Sequence, residues 1–250
     1  MIYRLLFLIF LGTAAVAGEF LDNWPPGKTE KLTYELKTLI PRETISYNHV
    51  EIVRSKDNQD IFIISQSLEI PHQSIRMVSI EKYDRRNIRL ISSENHLKFP
   101  PQMKQRYGAD SIVVKARTVG DSLKIVSSVE AIPSTTIPFP DDMITSTGSQ
   151  LLARSMEFKT GGTLTYSYIN LLILFDSQPV PQEVTDSVLD KESVSIALGT
   201  YECYKVKNTV PGSVGYSYYT ADERRIPIKI VLMDPQGQKP SMTMILQKYE

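Results

Sequence analysis

The sequence predicts an all-β protein, mostly antiparallel, built as a large curved sheet or open β-barrel with one packed α-helix. Three observations predict it. Aromatic and β-branched residues alternate with polar ones at a spacing of two along most of the chain. The runs are separated by brief turn signals such as Asp84-Arg85-Arg86 and Gly120-Asp121, too short for the helical crossovers that parallel strands require. Ten or more such runs follow one another, and a sheet of that size curls rather than staying flat.

The first 17 residues are expected to be a targeting segment. Arg4 supplies a positive charge, Leu5 to Leu11 an apolar stretch, and Ala15-Val16-Ala17 a small-residue cleavage pattern. Cleavage near Ala17/Gly18 would leave residues 18–250 as a single β domain and send it to the periplasm or outside the cell. Later apolar runs are shorter than the ~20 residues a membrane helix needs, so the mature chain is not expected to span a bilayer.

Trp24-Pro25-Pro26-Gly27 reads as an extended lead-in that stops any helix. Lys31 to Ile40 and Thr44 to Val53 form a first hairpin around Pro41-Arg42-Glu43, and Asp60 to Ile70 follows, ended by Pro71. Ser74 to Tyr83 pairs with Asn87 to Leu97, and Asp110 to Val119 with Ser122 to Glu130. Pro133, Pro138 and Pro140 exclude the next stretch from a central strand and make it a crossover or hinge. Asp141-Asp142 then precede apolar residues at roughly helical spacing, predicting one helix from Asp142 to Met156 with an aspartate cap. Gly161-Gly162 closes it. Thr163 to Phe175 returns to strand, with Leu171 to Phe175 read as buried on both sides, and Glu183 to Leu198 follows. Gly199 to Met233 then reads as a three-stranded meander with Ile226, Ile228, Ile230 and Leu232 on its core side, and Ser241 to Tyr249 is the last strand.

Composition narrows function. Of the 250 residues, 42% are hydrophobic and 22% charged, enough for a sizeable core, and 28 basic against 28 acidic side chains give no bias toward nucleic acid. Cys203 is the one cysteine, so no intramolecular disulfide is available, and its place in a β run predicts a buried thiol. His49, His72 and His96 lie in three separate segments without metal-ligand spacing. No serine sits in a nucleophile elbow, and Gly161-Gly162 lacks the spacing of a phosphate loop. No catalytic residue, metal or cofactor is therefore assigned.

The C-terminal half contains Leu-Gly-Thr-Tyr-Glu-Cys-Tyr-Lys-Val at Leu198 to Val206 and Asp-Glu-Arg-Arg-Ile-Pro-Ile-Lys-Ile at Asp222 to Ile230. These strands, with the Gly27 to Tyr34 entry strand, resemble those of the bacterial envelope family known as domain of unknown function 3108. The resemblance implies an exported β protein and carries no catalytic residue. Exported folds that curl an antiparallel sheet around a helix include lipoprotein carriers, an analogy of fold only.

The function expected on these grounds is non-enzymatic: an envelope protein holding a lipid or other amphipathic molecule in a curved-sheet groove. The alternative is an adaptor that binds an envelope partner through a sheet edge. Tyr166, Tyr168, Tyr216, Tyr218 and Arg224 are the candidate ligand-binding residues, because phenol and guanidinium groups together suit amphipathic ligands. Arg224 shares the phase of Ile226 and Ile228 and is expected on the core side, held either by a carboxylate or by an anionic headgroup. Arg225 is expected to be solvated.

Overall fold

The computed structural model describes residues 21, 24–39, 43–71, 75–99, 101–171 and 180–250. The targeting segment, the turn at Pro41-Arg42, His72 and the run from Leu172 to Phe175 lie outside the described residues.

Among the described residues fifteen strands form one sheet. From the N-terminus, β1 (Thr29–Thr38), β2 (Thr44–Arg54), β3 (Ile61–Ile70), β4 (Ile75–Asp84), β5 (Leu90–Lys98), β6 (Ser111–Val119), β7 (Ser122–Ser127) and β8 (Thr135–Pro138) run outward as a meander. The chain then crosses to the opposite edge with β9 (Met143–Thr145) and α2 (Gly148–Ser155). It returns through β10 (Thr163–Ile169), β11 (Gln182–Ile196), β12 (Gly199–Val210), β13 (Ser213–Thr220), β14 (Pro227–Met233) and β15 (Pro240–Tyr249). The last strand pairs antiparallel with β1, so the strands nearest the two ends of the chain meet in the middle of the sheet. Every pairing is antiparallel except β9 with β10, where α2 supplies the crossover.

Three features differ from the expectation. Pro101–Tyr107 forms a short helix, α1, between β5 and β6, so two short helices are described instead of one. A proline in the first helical turn loses no hydrogen bond and starts with the right φ, a start signal that the strand periodicity on either side masks. The Pro-rich crossover contributes β8, the outermost strand, where a proline can sit without orphaning a ladder partner. The second helix begins at Gly148, not Asp142, and Asp141 does not cap it: its carboxylate pairs with Arg89. The Arg89 guanidinium also donates to the carbonyls of Gly120 (2.8 Å) and Phe139 (2.7 Å), gathering the crossover onto the β4–β5 and β6–β7 turns.

The curvature follows from distances. Ten strand steps separate β4 from β9 in the sheet order, about 48 Å if the sheet were flat. Yet Thr145 of β9 donates to Glu81 of β4 at 3.0 Å. The sheet therefore curls until one edge lies over the inner face of β4, while its two edges stay unpaired with each other. The helix α2 occupies the hollow. Its start presses on β4, where a Cβ added to Gly148 would come within 2.7 Å of the Tyr83 ring. Its end packs on the far meander through Ala153 and Met156, against Val188, Val206 and Tyr219. Inner-phase residues of all the strands supply the core, among them Leu32, Ile52, Phe62, Ile64, Leu123 and Leu246, each at most 2% exposed.

Candidate functional site

Two buried charges on the sheet meet the helix. Arg154, 1% exposed, forms a two-pronged ion pair with Glu30 of β1 (2.5 and 3.0 Å), donates to the Arg224 carbonyl (2.6 Å) and lies 5.2 Å from the centre of the Trp24 ring. At the other end Glu81 is 3% exposed and is reached by hydroxyls: Tyr83, Thr145 at 3.0 Å and Thr147 at 3.2 Å. Burial raises its carboxyl above the ordinary carboxylate range, and these hydroxyl donors oppose the shift.

Away from the helix the inner face is less deeply buried. Along β1, Leu32 and Tyr34 are buried, but Leu36 in the same phase is half-buried. The gradient repeats on β14, from buried Ile228 to half-buried Ile230 and Leu232, and on β15, from buried Leu246 to half-buried Met244 and Met242. Strand register sets Ser217, Ile230, Met244, Leu36 and Ser46 directly opposite one another in a single row. The row is mostly apolar, and its methionine can adapt to irregular shapes.

Polar groups border this row on both sides. On the β2–β3 side Asn48 is 4.0 Å from the Met244 sulfur and accepts from Gln66 at 3.0 Å. On the other side Ser217 donates to Asn208 (2.7 Å), Asn208 donates to Asp186 (2.8 Å), and the Tyr166 hydroxyl donates to the second Asp186 oxygen (3.3 Å). Asp186 is 1% exposed and forms no ion pair among the described residues. Burial pushes its carboxyl up to about 6, against the pull of Asn208 and Tyr166. Burial beside Asp186 likewise raises the Tyr166 phenol.

The five residues singled out from sequence do not come together. Tyr166 belongs to the Asp186 network, and Tyr168 follows it in phase on β10, with Ser146 as a hydrogen-bond partner. Tyr216 and Tyr218 lie opposite Lys207 and Lys205 of β12, with the Lys205 ammonium 5.1 and 5.5 Å from their ring centres; Tyr218 is buried in the main core and Tyr216 packs against it. Arg224 is exposed, and its expected core-side position is corrected. It pairs with Asp222 at 2.5 Å in the β13–β14 turn, and Asp222 also accepts from its backbone N–H. Arg225 is the more buried of the two and donates to the Arg154 and Met156 carbonyls (3.0 and 3.1 Å). The reversal has a local cause: Arg225 takes φ 49°, which breaks the strand alternation between Arg224 and Ile226.

Asp186, Asn208, Glu81, Glu30 and Arg154 were not singled out from sequence. A signal existed for the acids: Glu30, Glu81 and Asp186 each stand in the apolar phase of their strands, beside Leu32, Tyr83 and Val184. Cys203 is buried as expected, with its thiol pushed up to about 11, chiefly by burial. Among the described residues no three His, Cys, Asp or Glu side chains converge as a metal cluster, and no helix is long and apolar enough to cross a membrane.

No family model and no curated protein matches the chain. Among solved structures it is similar to the β-barrel-like protein of domain of unknown function 1849 from Brucella abortus, at 9% identity and a TM-score of 0.57, over 90% of this chain and 98% of that one. A protein of domain of unknown function 1089 from Pseudomonas aeruginosa (10% identity, TM-score 0.37, 82% and 89% covered) overlaps more loosely. So does a protein with a YmcC-like fold from Bacteroides fragilis (11%, 0.33, 90% and 97%). What the first likeness establishes for this chain is its fold, an open sheet of β-barrel-like form.

Proposed function

We propose that this chain is an exported, non-catalytic protein of the cell envelope that holds a lipid or other amphipathic molecule in the open end of its curved sheet. The observation that carries this reading is the burial gradient along β1, β14 and β15. Inner-phase side chains that are sealed under α2 become half-exposed apolar side chains at the other end, where a concave, mostly apolar surface with a few polar groups suits such a ligand. The polar border revises the expected headgroup. Arg224 lies outside the groove, and the charged group beside it is Asp186, so the site favours a head that donates hydrogen bonds, such as a hydroxyl or amine, over an anionic one. The adaptor alternative has less support, because the two sheet edges, β8 and β9, are only four and three residues long.

Native mass spectrometry of protein purified from cells, followed by titration with a fluorescent monoacylglycerol, tests the reading. Bound lipid and saturable uptake are expected, and Met244→Trp, which fills the row, should weaken uptake about tenfold or more. Wild-type protein with no co-purifying lipid and no probe binding would refute it.

A further inference from the structure

The outer face of β4–β7 carries a grid of side chains that the groove does not use. Strand register places Arg76 and Lys98 in one cross-strand row, Val78, His96 and Val113 in the next, then Ile80, Glu94, Lys115 and Val126, then Lys82, Ser92, Arg117 and Lys124. The result is a band containing four aliphatic residues with basic rows on both sides, spanning about 20 Å along the strands. Ile80 is 43% and Val126 41% exposed, large for β-branched side chains on a sheet. Two shallow recesses on this face are lined by six basic side chains and one acid, Glu94. Glu94 is occupied by Lys115 at 3.1 Å and His96 at 2.7 Å and Arg76 pairs with Glu69 of β3 at 3.4 Å, while Lys82, Lys98, Arg117 and Lys124 form no ion pair among the described residues.

The outer face over β1–β3 and the C-terminal end of β15 shows that this imbalance is local. Its recess is lined by Lys31 and Lys248 with Glu51 and Glu250, and each lysine is paired, at 3.9 and 2.5 Å. A chain with equal numbers of acids and bases has thus gathered uncompensated positive charge around an exposed aliphatic band.

We propose that the outer face of β4–β7 docks on an anionic phospholipid bilayer. Lysine and arginine on the flanks would reach headgroup phosphates while their methylene stems and the aliphatic band rest against the interface. No aromatic side chain lines either recess, so base stacking, which single-stranded nucleic acid binding exploits, has no platform here. The inference does not depend on what the groove holds, since the two surfaces lie on opposite faces of the sheet.

Sedimentation with phosphatidylcholine vesicles, with and without about one-third phosphatidylglycerol, tests it. Wild-type protein should bind only the anionic vesicles and release as salt rises to about 0.5 M, where screening is strong. Lys82→Glu/Arg117→Glu/Lys124→Glu should lose at least about tenfold in binding, while Lys31→Glu/Lys248→Glu on the balanced patch should bind as wild type does. If the triple variant fails to melt cooperatively, Lys98→Ala/Lys124→Ala serves instead, with about a threefold loss expected. Equal binding to both vesicle types, or equal losses in the two patches, would overturn the proposal. Binding to polyglutamate but not to vesicles would overturn it in favour of an acidic protein partner.

Discussion

The helix α2 is fastened to the sheet by a buried carboxylate at each end, and the two fastenings work differently. At the C-terminal end Glu30 faces the Arg154 guanidinium, so two desolvated charges offset one another. At the N-terminal end Glu81 meets hydroxyls only, and burial is met by a raised pKa. The first should be intolerant of losing a partner. The second should be sensitive to pH but tolerant of a neutral substitute. Asp186 at the groove border is of the second kind, with Asn208 and Tyr166 in place of hydroxyl-bearing threonines.

The largest expected effect separates the two ends. Arg154→Ala leaves Glu30 buried beside no cation and should cost ~3 to 5 kcal/mol in urea unfolding at pH 7, whereas Glu81→Gln, which keeps size and hydrogen-bonding capacity, should change stability by less than ~1 kcal/mol. Equal losses at both would mean that the hydroxyl-bound carboxylate is as dependent on its charge as the ion pair is.

A pH series sharpens the contrast. A carboxyl whose folded pKa lies above its unfolded value holds its proton longer when folded, so stability is greatest on the acid side and falls as pH rises between the two values. For Asp186 that window runs from 3.8 to about 6, a span worth up to ~3 kcal/mol. Asp186→Asn should therefore flatten that part of the wild-type profile, and Glu81→Gln should flatten it from about 4.5 upward. Solvent-facing acids such as Glu94 and Asp110 have lowered values, held down by Lys115 and Lys104, and act with the opposite sign, their contribution being lost as pH falls below the ordinary carboxylate range. The test is accordingly the difference between variant and wild-type curves, and parallel curves would remove the distinction between the two kinds of carboxylate.

The smallest expected effect concerns the turn that closes over Arg154. Arg225→Ala strips donors from two carbonyls at the end of the helix and should cost ~1 to 3 kcal/mol, while Arg224→Ala removes a solvated ion pair and should stay within ~1 kcal/mol. Thermal melting of both variants checks the order, and a larger loss at Arg224 would restore the assignment made from strand phase.

Thirteen of the fifteen strands were legible because alternation is a local property, written in residues such as Phe62, Ile64 and Leu68 and needing no partner to be seen. The strands missed, β8 and β9, have only four and three residues, too few for a period to show, and β9 lies inside what read as the start of a helix. Of the candidate groove, Tyr166 was found and Asp186 was not. Tyrosine is recognised as a type, whereas an acid in an apolar phase matters only once its surroundings are known.

By itself the sequence determined the fold class, the boundaries of the longer strands, the burial of Cys203 and the curling of the sheet, all consequences of period, turn chemistry and strand number. Tertiary structure alone decided that β1 and β15 pair at the centre, that Thr145 reaches Glu81, and that Arg154 rather than Arg224 is the buried cation. The reason is distance along the chain. Arg154 and Glu30 lie 124 residues apart, and no local pattern encodes a contact that exists only after the sheet has closed around a helix of about 12 Å.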